Sequence, residues 1–158
     1  MGAAGAWYRR RVGLRGTALG VTGIGWITYG TGIITDPRYG VQRGVQVLVQ
    51  ICPLSWWGVL WIACGMTAFG AALCRPGPDR LGFAAGALAP LLWAGAYVIA
   101  WLTGGYPQAW TATPAWCVPL VLLGVVAALS SRYAALLLRY AAALDRIRAL
   151  ERGADGGE

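Results

Sequence analysis

The chain has 158 residues, of which 58% are hydrophobic and 12% are charged, and its formal net charge is +7. This charged fraction is about half of that in soluble domains, which excludes a soluble globular protein. There is no histidine, and every Asp and Glu lies in a loop or tail, so the apolar segments offer no candidates for a metal site, a cofactor site or acid–base catalysis. We therefore expect a non-enzymatic protein without a cofactor.

Four apolar segments are each long enough to cross a hydrocarbon core of about 30 Å at a rise of about 1.5 Å per residue. No charged residue lies deep inside any of them. The sequence therefore predicts an all-α fold, an integral membrane four-helix bundle over residues 16–131. The predicted spans are residues 16–35, 54–74, 81–103 and 114–131. A basic N-terminus (1–15) precedes the bundle, a helical tail (132–152) follows it, and residues 153–158 are expected to be disordered.

Small residues recur at seven-residue intervals in the first two spans and predict tightly packed helix faces. In lipid, small residues let helix backbones approach closely, because packing replaces the hydrophobic driving force. We expect these faces to pack within the chain, with self-association and a flexible hinge as the alternatives. The residues concerned are Gly16, Gly20, Gly23 and Gly30 in the first span and Gly58, Gly65 and Ala72 in the second. A second face of the first span is marked by Gly25 and Gly32.

An amphipathic helix is predicted over residues 37–51, between the first two spans. Asp36 is a suitable N-cap, Pro37 suits the first helical position, and Pro53 ends the segment. The segment is too short and too polar to cross a bilayer. We expect it to lie on the outer membrane surface or to rest as a cap over the bundle. Its apolar side carries Val41, Val45, Leu48 and Cys52, and its polar side carries Gln42, Arg43, Gln46 and Gln50.

Prolines mark the third and the last span. Pro90 lies within the third span, where its missing N–H should kink the helix. Such a kink is structural or, as in channels and transporters, lines a path. Thr113 and Pro114 resemble a cap and a first-turn proline, and they predict where the last span begins.

The last span continues into a tail that carries apolar residues at heptad spacing. This pattern predicts either a short coiled coil or a single amphipathic helix on the inner leaflet, with its arginines on anionic lipid. The heptad residues are Tyr133, Leu136, Tyr140, Ala143, Ile147 and Leu150.

The arginines are divided unequally between the two sides of the predicted bundle. Eleven lie in the N-terminus, the second connection and the tail, and two lie in the first connection. Because positive charge is retained in the cytoplasm, we expect a plasma-membrane protein with both termini cytoplasmic and with its arginines near anionic inner-leaflet lipids. No folded nucleic-acid-binding module accompanies them, so nucleic acid is not an expected partner. The arginines that set this topology include Arg9, Arg10, Arg11, Arg15, Arg75, Arg80 and Arg132.

Aromatic residues are concentrated toward the outer side. Indole and phenol rings favour the headgroup region, because each has an apolar body and a polar tip. The pattern is typical of a membrane aromatic belt, and its density also suggests an outward contact surface for a partner or glycan. The residues assigned to this outer aromatic face are Trp56, Trp57, Trp61, Trp101, Trp110 and Trp116.

The four cysteines do not follow a zinc-binding pattern. Cys64 and Cys74 lie in the second span and are expected to be packed thiols. Cys52 and Cys117 both map near the outer ends of helices, where they could form a disulfide or remain small apolar residues.

One segment resembles small multi-span membrane proteins encoded by actinobacterial phages and prophages. It comprises residues 52–58, with the sequence CPLSWWG, together with Trp61 and Gly65. Some proteins of that kind are holins, which are small, span the membrane several times and end in a charged tail. Holins share no residue motif, so the resemblance implies a class of protein and no site residues.

Three classes of function are compatible with these features. The first is a non-enzymatic bundle that acts as a membrane scaffold or binds a membrane or envelope protein. The second is a holin-like or pore-forming protein that permeabilises the membrane as a homo-oligomer, through its glycine faces. The third is a transporter or membrane enzyme, for which the scattered threonines of the first two spans are the available polar groups.

Overall fold

The protein is mainly helical in the part of the chain that the structure, a computed structural model, describes: residues 13–36, 38–74 and 79–155. There are six helices in these ranges and no strand. The prediction of an all-α fold is therefore confirmed. In chain order the helices are α1 (Gly13–Thr35), α2 (Tyr39–Gly44), α3 (Gln46–Val49), α4 (Leu54–Leu73), α5 (Asp79–Leu102) and α6 (Ala109–Asp155).

Three of these helices are long and apolar enough to cross a membrane. They are α4, the Arg80–Leu102 part of α5 and the Ala109–Tyr133 part of α6. Helix α1 has the required length and is not among them, because its many glycines and threonines lower its mean hydropathy. The membrane-protein class predicted from the sequence is thus supported by three candidate spans.

Helices α1 and α4 pack against each other along their length through glycines. A β-carbon built on Gly23 would lie 2.7 Å from the Gly65 carbonyl oxygen, and one built on Gly30 would lie 2.6 Å from that of Gly58. Farther along, a β-carbon on Gly20 would lie 3.8 Å from the β-carbon of Ala72. Residue numbers rise along α1 as they fall along α4, so the two helices are antiparallel. No side chain larger than hydrogen fits at the two central crossings.

The predicted amphipathic helix differs from what forms between α1 and α4. Two short helices, α2 and α3, meet at a turn at Val45, and the N-cap of α2 is Arg38 rather than Asp36. Both lie against α5. Val45 is fully buried, and a β-carbon on Gly44 would overlap the ring of Tyr97 in α5. The break at Val45 turns its side chain into the core.

Helix α6 begins earlier than the sequence predicts. It starts at Ala109, so Pro114 lies inside the helix together with Pro119, and the prediction of a start at Thr113 is wrong. The preceding helix α5 ends just before Gly104, which has φ = +72°, a left-handed conformation that glycine adopts without strain.

The chain divides into two compact units, with the boundary between Val126 and Ala127. The first unit contains α1 to α5 and the N-terminal part of α6. The second contains the remainder of α6. This helix ends at Asp155, two residues beyond Gly153, where the sequence predicts that it stops. Large apolar side chains of this second unit are exposed: Leu129, Tyr133, Leu136, Tyr140 and Leu144. The predicted heptad positions Ile147 and Leu150 lie outside the side chains described.

Candidate functional site

Aromatic rings from four helices meet at the centre of the first unit. We call these rings the aromatic cluster. They pack mainly edge to face, the arrangement that the ring quadrupoles favour. The members are Trp26 and Tyr29 of α1, Trp57 and Trp61 of α4, Trp93 of α5 and Trp116 of α6.

Trp61 is the centre of the aromatic cluster. Its ring centroid lies 4.8 Å from that of Trp26, 4.7 Å from that of Tyr29 and 5.3 Å from that of Trp93. The side chain is 0% exposed. The expectation that Trp61 belongs to an outward aromatic face is therefore wrong. Gly58 and Gly65 lie one turn on either side of it, on the α4 face against α1, which brings α1 close enough for the rings to interlock.

Indole N–H groups link the aromatic cluster to its surroundings. Trp26 Nε1 donates to the Gly86 carbonyl oxygen at 2.8 Å. Trp93 Nε1 donates to the Tyr29 hydroxyl oxygen at 3.2 Å. Trp57 Nε1 donates to the carbonyl oxygen of Leu48 at 3.0 Å, which ties α3 to α4. Satisfied N–H groups of this kind matter in a membrane, because hydrocarbon offers no alternative partner.

Trp61 differs from these tryptophans in its hydrogen bonding. Its Nε1 is buried and has no hydrogen-bond partner among the described residues. An unsatisfied buried donor costs about 1–3 kcal/mol. The edge-to-face contacts around Trp61 offset this cost through dispersion and quadrupole attraction. The cluster is filled by its own rings, so its chemistry is that of a packed core.

Three tryptophans of the predicted outer aromatic face do point away from the protein. Trp56 is 63% exposed, Trp101 is 48% exposed and Trp110 is 58% exposed. They lie near the start of α4, the end of α5 and the start of α6, which is one end of the first unit. We call them the outer rim. Trp57 and Trp116 are instead half-buried in the aromatic cluster.

A shallow cleft of about 260 Å³ opens at the same end of the first unit. Its floor includes Ile99 and Ala100 of α5, and the side chains of Gln46, Gln50 and Thr103 contribute polar groups. The Thr103 hydroxyl donates to the carbonyl oxygen of Ile99 at 2.9 Å. The cleft is mainly apolar, and the residues that line it carry no charge.

The other predicted residues are distributed as follows. All four cysteines are free thiols, so Cys52 and Cys117 are not paired. Within the described ranges, no three His, Cys, Asp or Glu side chains lie close enough together to hold a metal ion. Of the topology residues, Arg80 and Arg132 are exposed and Arg15 is half-buried. Arg9, Arg10, Arg11 and Arg75 lie outside the described residues.

No known protein family, curated protein or solved structure matches the chain. The resemblance of the segment from Cys52 to Gly65 to phage-encoded multi-span proteins stays a prediction.

Proposed function

We propose that the protein crosses the plasma membrane four times and serves there as a non-enzymatic scaffold that binds a membrane or envelope protein through the outer rim. The observation that carries the proposal is the contrast between its two aromatic groups. One is packed inside the first unit around Trp61, and the other, at Trp56, Trp101 and Trp110, is exposed at one end. Exposed tryptophans supply large, rigid contact areas for binding partners.

The register between α1 and α4 supports a fourth span. Helix α4 is long and apolar enough to cross a membrane, and α1 lies antiparallel to it from the Gly20–Ala72 contact to the Gly30–Gly58 crossing. A helix that accompanies a span over this length occupies the same depth of the bilayer. The glycines and threonines that lower its mean hydropathy are in part the residues that permit this packing.

The arginine distribution supports cytoplasmic termini. We would test this with single cysteines in a variant whose native cysteines are replaced by alanine. Gln108→Cys, between α5 and α6, should react with a membrane-impermeant maleimide on intact cells. Pro78→Cys, between α4 and α5, should react only after permeabilisation. The opposite pattern would reverse the orientation, and equal labelling of both sites would rule out a span over α5.

Binding through the outer rim can be tested by site-specific photocrosslinking in membranes. A photoreactive phenylalanine analogue at position 56, 101 or 110 should give a discrete protein adduct. The same analogue at Val121 or Leu122, which are exposed on α6 within the first unit, should react mainly with lipid. Adducts that are absent at all three rim positions, or equally frequent at the α6 positions, would contradict a binding role for the outer rim.

A membrane-permeabilising function is the alternative. The glycine face that could have driven self-association is occupied by α4 at Gly23 and Gly30. Gly25 and Gly32 on α1 and Gly124 on α6 have open space around them, which leaves room for another helix. Expression in a bacterium while potassium release and growth are followed distinguishes the two functions. Rapid potassium loss favours permeabilisation, and intact cells with full-length protein in the membrane favour the scaffold.

A further inference from the structure

Pro90 leaves one backbone carbonyl of α5 without its helical partner. Proline has no N–H, so the carbonyl four residues earlier, that of Gly86, receives no hydrogen bond from position 90, and the proline ring pushes that carbonyl aside. Pro90 is fully buried. Water cannot readily replace the missing donor at such a site, and an unsatisfied carbonyl is costly in a membrane.

The missing donor comes from another helix. Trp26 Nε1 on α1 reaches the Gly86 carbonyl oxygen at 2.8 Å, a short and well-formed hydrogen bond. The Trp26 ring is held in place by an edge-to-face contact with Trp61, with centroids 4.8 Å apart. The indole is therefore fixed by the aromatic cluster and directed at the one carbonyl that Pro90 releases.

Neighbouring packing keeps the Gly86 position closely surrounded. A β-carbon on Gly86 would lie 3.4 Å from a δ-carbon of Leu123 on α6 and 3.5 Å from the γ-carbon of Thr22 on α1. Three helices thus converge at the residue whose carbonyl is freed. A change in the bend of α5 at this point would alter its contacts with both α1 and α6.

We propose that Pro90 makes α5 a hinged helix and that Trp26 is the clasp that holds the hinge closed. In the closed form the indole N–H replaces the backbone donor that proline lacks. When the clasp releases, the Gly86 carbonyl loses the donor that replaces the missing N–H of Pro90 and α5 bends at Pro90, so the position of α1 and the bend of α5 change together. This device does not depend on the proposed scaffold function.

A double-mutant cycle tests the clasp. Trp26→Phe keeps an aromatic ring but removes the N–H, and in detergent micelles it should lower the Tm by about 3 °C or more. Pro90→Ala restores the backbone donor to the Gly86 carbonyl. In that background Trp26→Phe should therefore have a clearly smaller effect on the Tm. Equal shifts in the two backgrounds would overturn the proposal.

Trp57→Phe is the matched control for the cycle. It makes the same ring substitution and also removes an N–H, whose acceptor is the Leu48 carbonyl of α3 and not a carbonyl of α5. Its effect on the Tm should be the same with proline or alanine at position 90. Coupling of similar size for Trp57 would show that the cycle reports general packing and would count against a specific clasp.

Hydrogen exchange tests the hinge itself, and it uses a variant that need not lose stability. Pro90→Ala alone should slow amide exchange over residues 91–94 of α5, because the series of backbone hydrogen bonds along the helix is then uninterrupted. Trp26→Phe should accelerate exchange in the same segment and leave the amides of α4 near their original rates. Unchanged exchange over residues 91–94 in both variants would exclude a hinge at Pro90.

Discussion

Glycines in α1 occupy two different environments, although the sequence gives them similar spacing. Gly23 and Gly30 lie against the backbone of α4, with less than 3 Å between a built β-carbon and the facing carbonyl oxygen. Gly25 and Gly32 have no atom within 4 Å of the same position. A methyl group added to a glycine would therefore clash with α4 on the packed face of α1 and would meet no neighbouring helix on the open face.

Alanine substitutions should separate these two environments. Gly23→Ala and Gly30→Ala force α1 and α4 apart and should each destabilise the protein by about 1–3 kcal/mol. Gly25→Ala and Gly32→Ala gain helix propensity without a clash and should be neutral or stabilising by up to about 1 kcal/mol. Thermal unfolding in the same detergent gives the comparison. Equal losses at all four positions would contradict the packing described for α1 and α4.

Two tryptophans of α4 likewise differ in their exposure to the surroundings of the protein. Trp61→Ala empties the centre of the aromatic cluster and should cost about 3–5 kcal/mol. Trp56→Ala, five residues earlier on the same helix, removes a mostly exposed ring and should change stability by no more than about 0.5 kcal/mol. Denaturation followed by far-UV circular dichroism in micelles measures both variants. A loss at Trp56 as large as that at Trp61 would contradict the burial assigned to these residues.

The sequence shows where small residues recur along a helix, and it shows much less about which large side chains face the protein core and which face lipid. The seven-residue recurrence at Gly58, Gly65 and Ala72 is visible because glycine is uncommon at regular intervals in a helix. The same spacing places Trp61 on this face, three residues after Gly58 and four before Gly65. It does not distinguish a ring in the core from one at the membrane interface, since lipid-facing and core-facing residues of a membrane helix are equally apolar. Aromatic residues near a helix end indicate a membrane interface, and only the contacts of Trp61 with three other helices show that it is in the core.

At the scale of helices, the connection between α1 and α4 is held against other helices at two points. A segment that only lies on a membrane surface needs no such contacts. Two short helices are fixed by Trp57 Nε1, which reaches the Leu48 carbonyl oxygen, and by the Gly44 backbone, which lies on the Tyr97 ring. The periodicity of Val41, Val45 and Leu48 predicted the helical content and the buried side. It could not predict the turn at Val45, which depends on the shape of the surface beneath it.

Substitution at Gly44 tests how this connection is held. Gly44→Ala would overlap the Tyr97 ring, so α2 and α3 should lift from α5 and expose the bond after Arg43 to trypsin. Gly40→Ala places its methyl group 3.7 Å from the Tyr106 hydroxyl oxygen, an ordinary contact, and should leave cleavage near the wild-type rate. Cleavage can be followed by mass spectrometry. Equal resistance of both variants would mean that the contact with Tyr97 does not hold the connection.

Helix ends were harder to predict than helix positions. The starting residue of α4 agrees with the sequence, since Pro53 precedes it and carries no N–H that would extend the helix. The start of α6 does not, because a proline, although favoured in the first turn, also occurs at a bend inside a longer helix, as Pro114 does here. Thr111 Oγ1 donates to the Gln108 carbonyl oxygen at 2.8 Å, a local bond that becomes apparent only once the helix is known to begin at Ala109.

At the scale of the whole molecule, the division after Val126 separates a packed unit from a helical tail. Truncation after Arg132 should therefore leave the unfolding of the first unit almost unchanged, with a Tm within about 2 °C of that of the full chain. The full-length protein in the same detergent is the control. A large loss of stability would show that the tail contributes to the packing of the first unit.

The glycine crossings between α1 and α4 also bear on how the molecule is made. Both helices precede α5 and α6 in the chain and leave the ribosome before them, and their seam needs no residue from α5 or α6. A hairpin of this kind can close during synthesis and bury the polar groups of the weakly apolar α1 before α5 and α6 arrive. In the proposed four-span topology, α4 is therefore the partner that stabilises α1 in the bilayer.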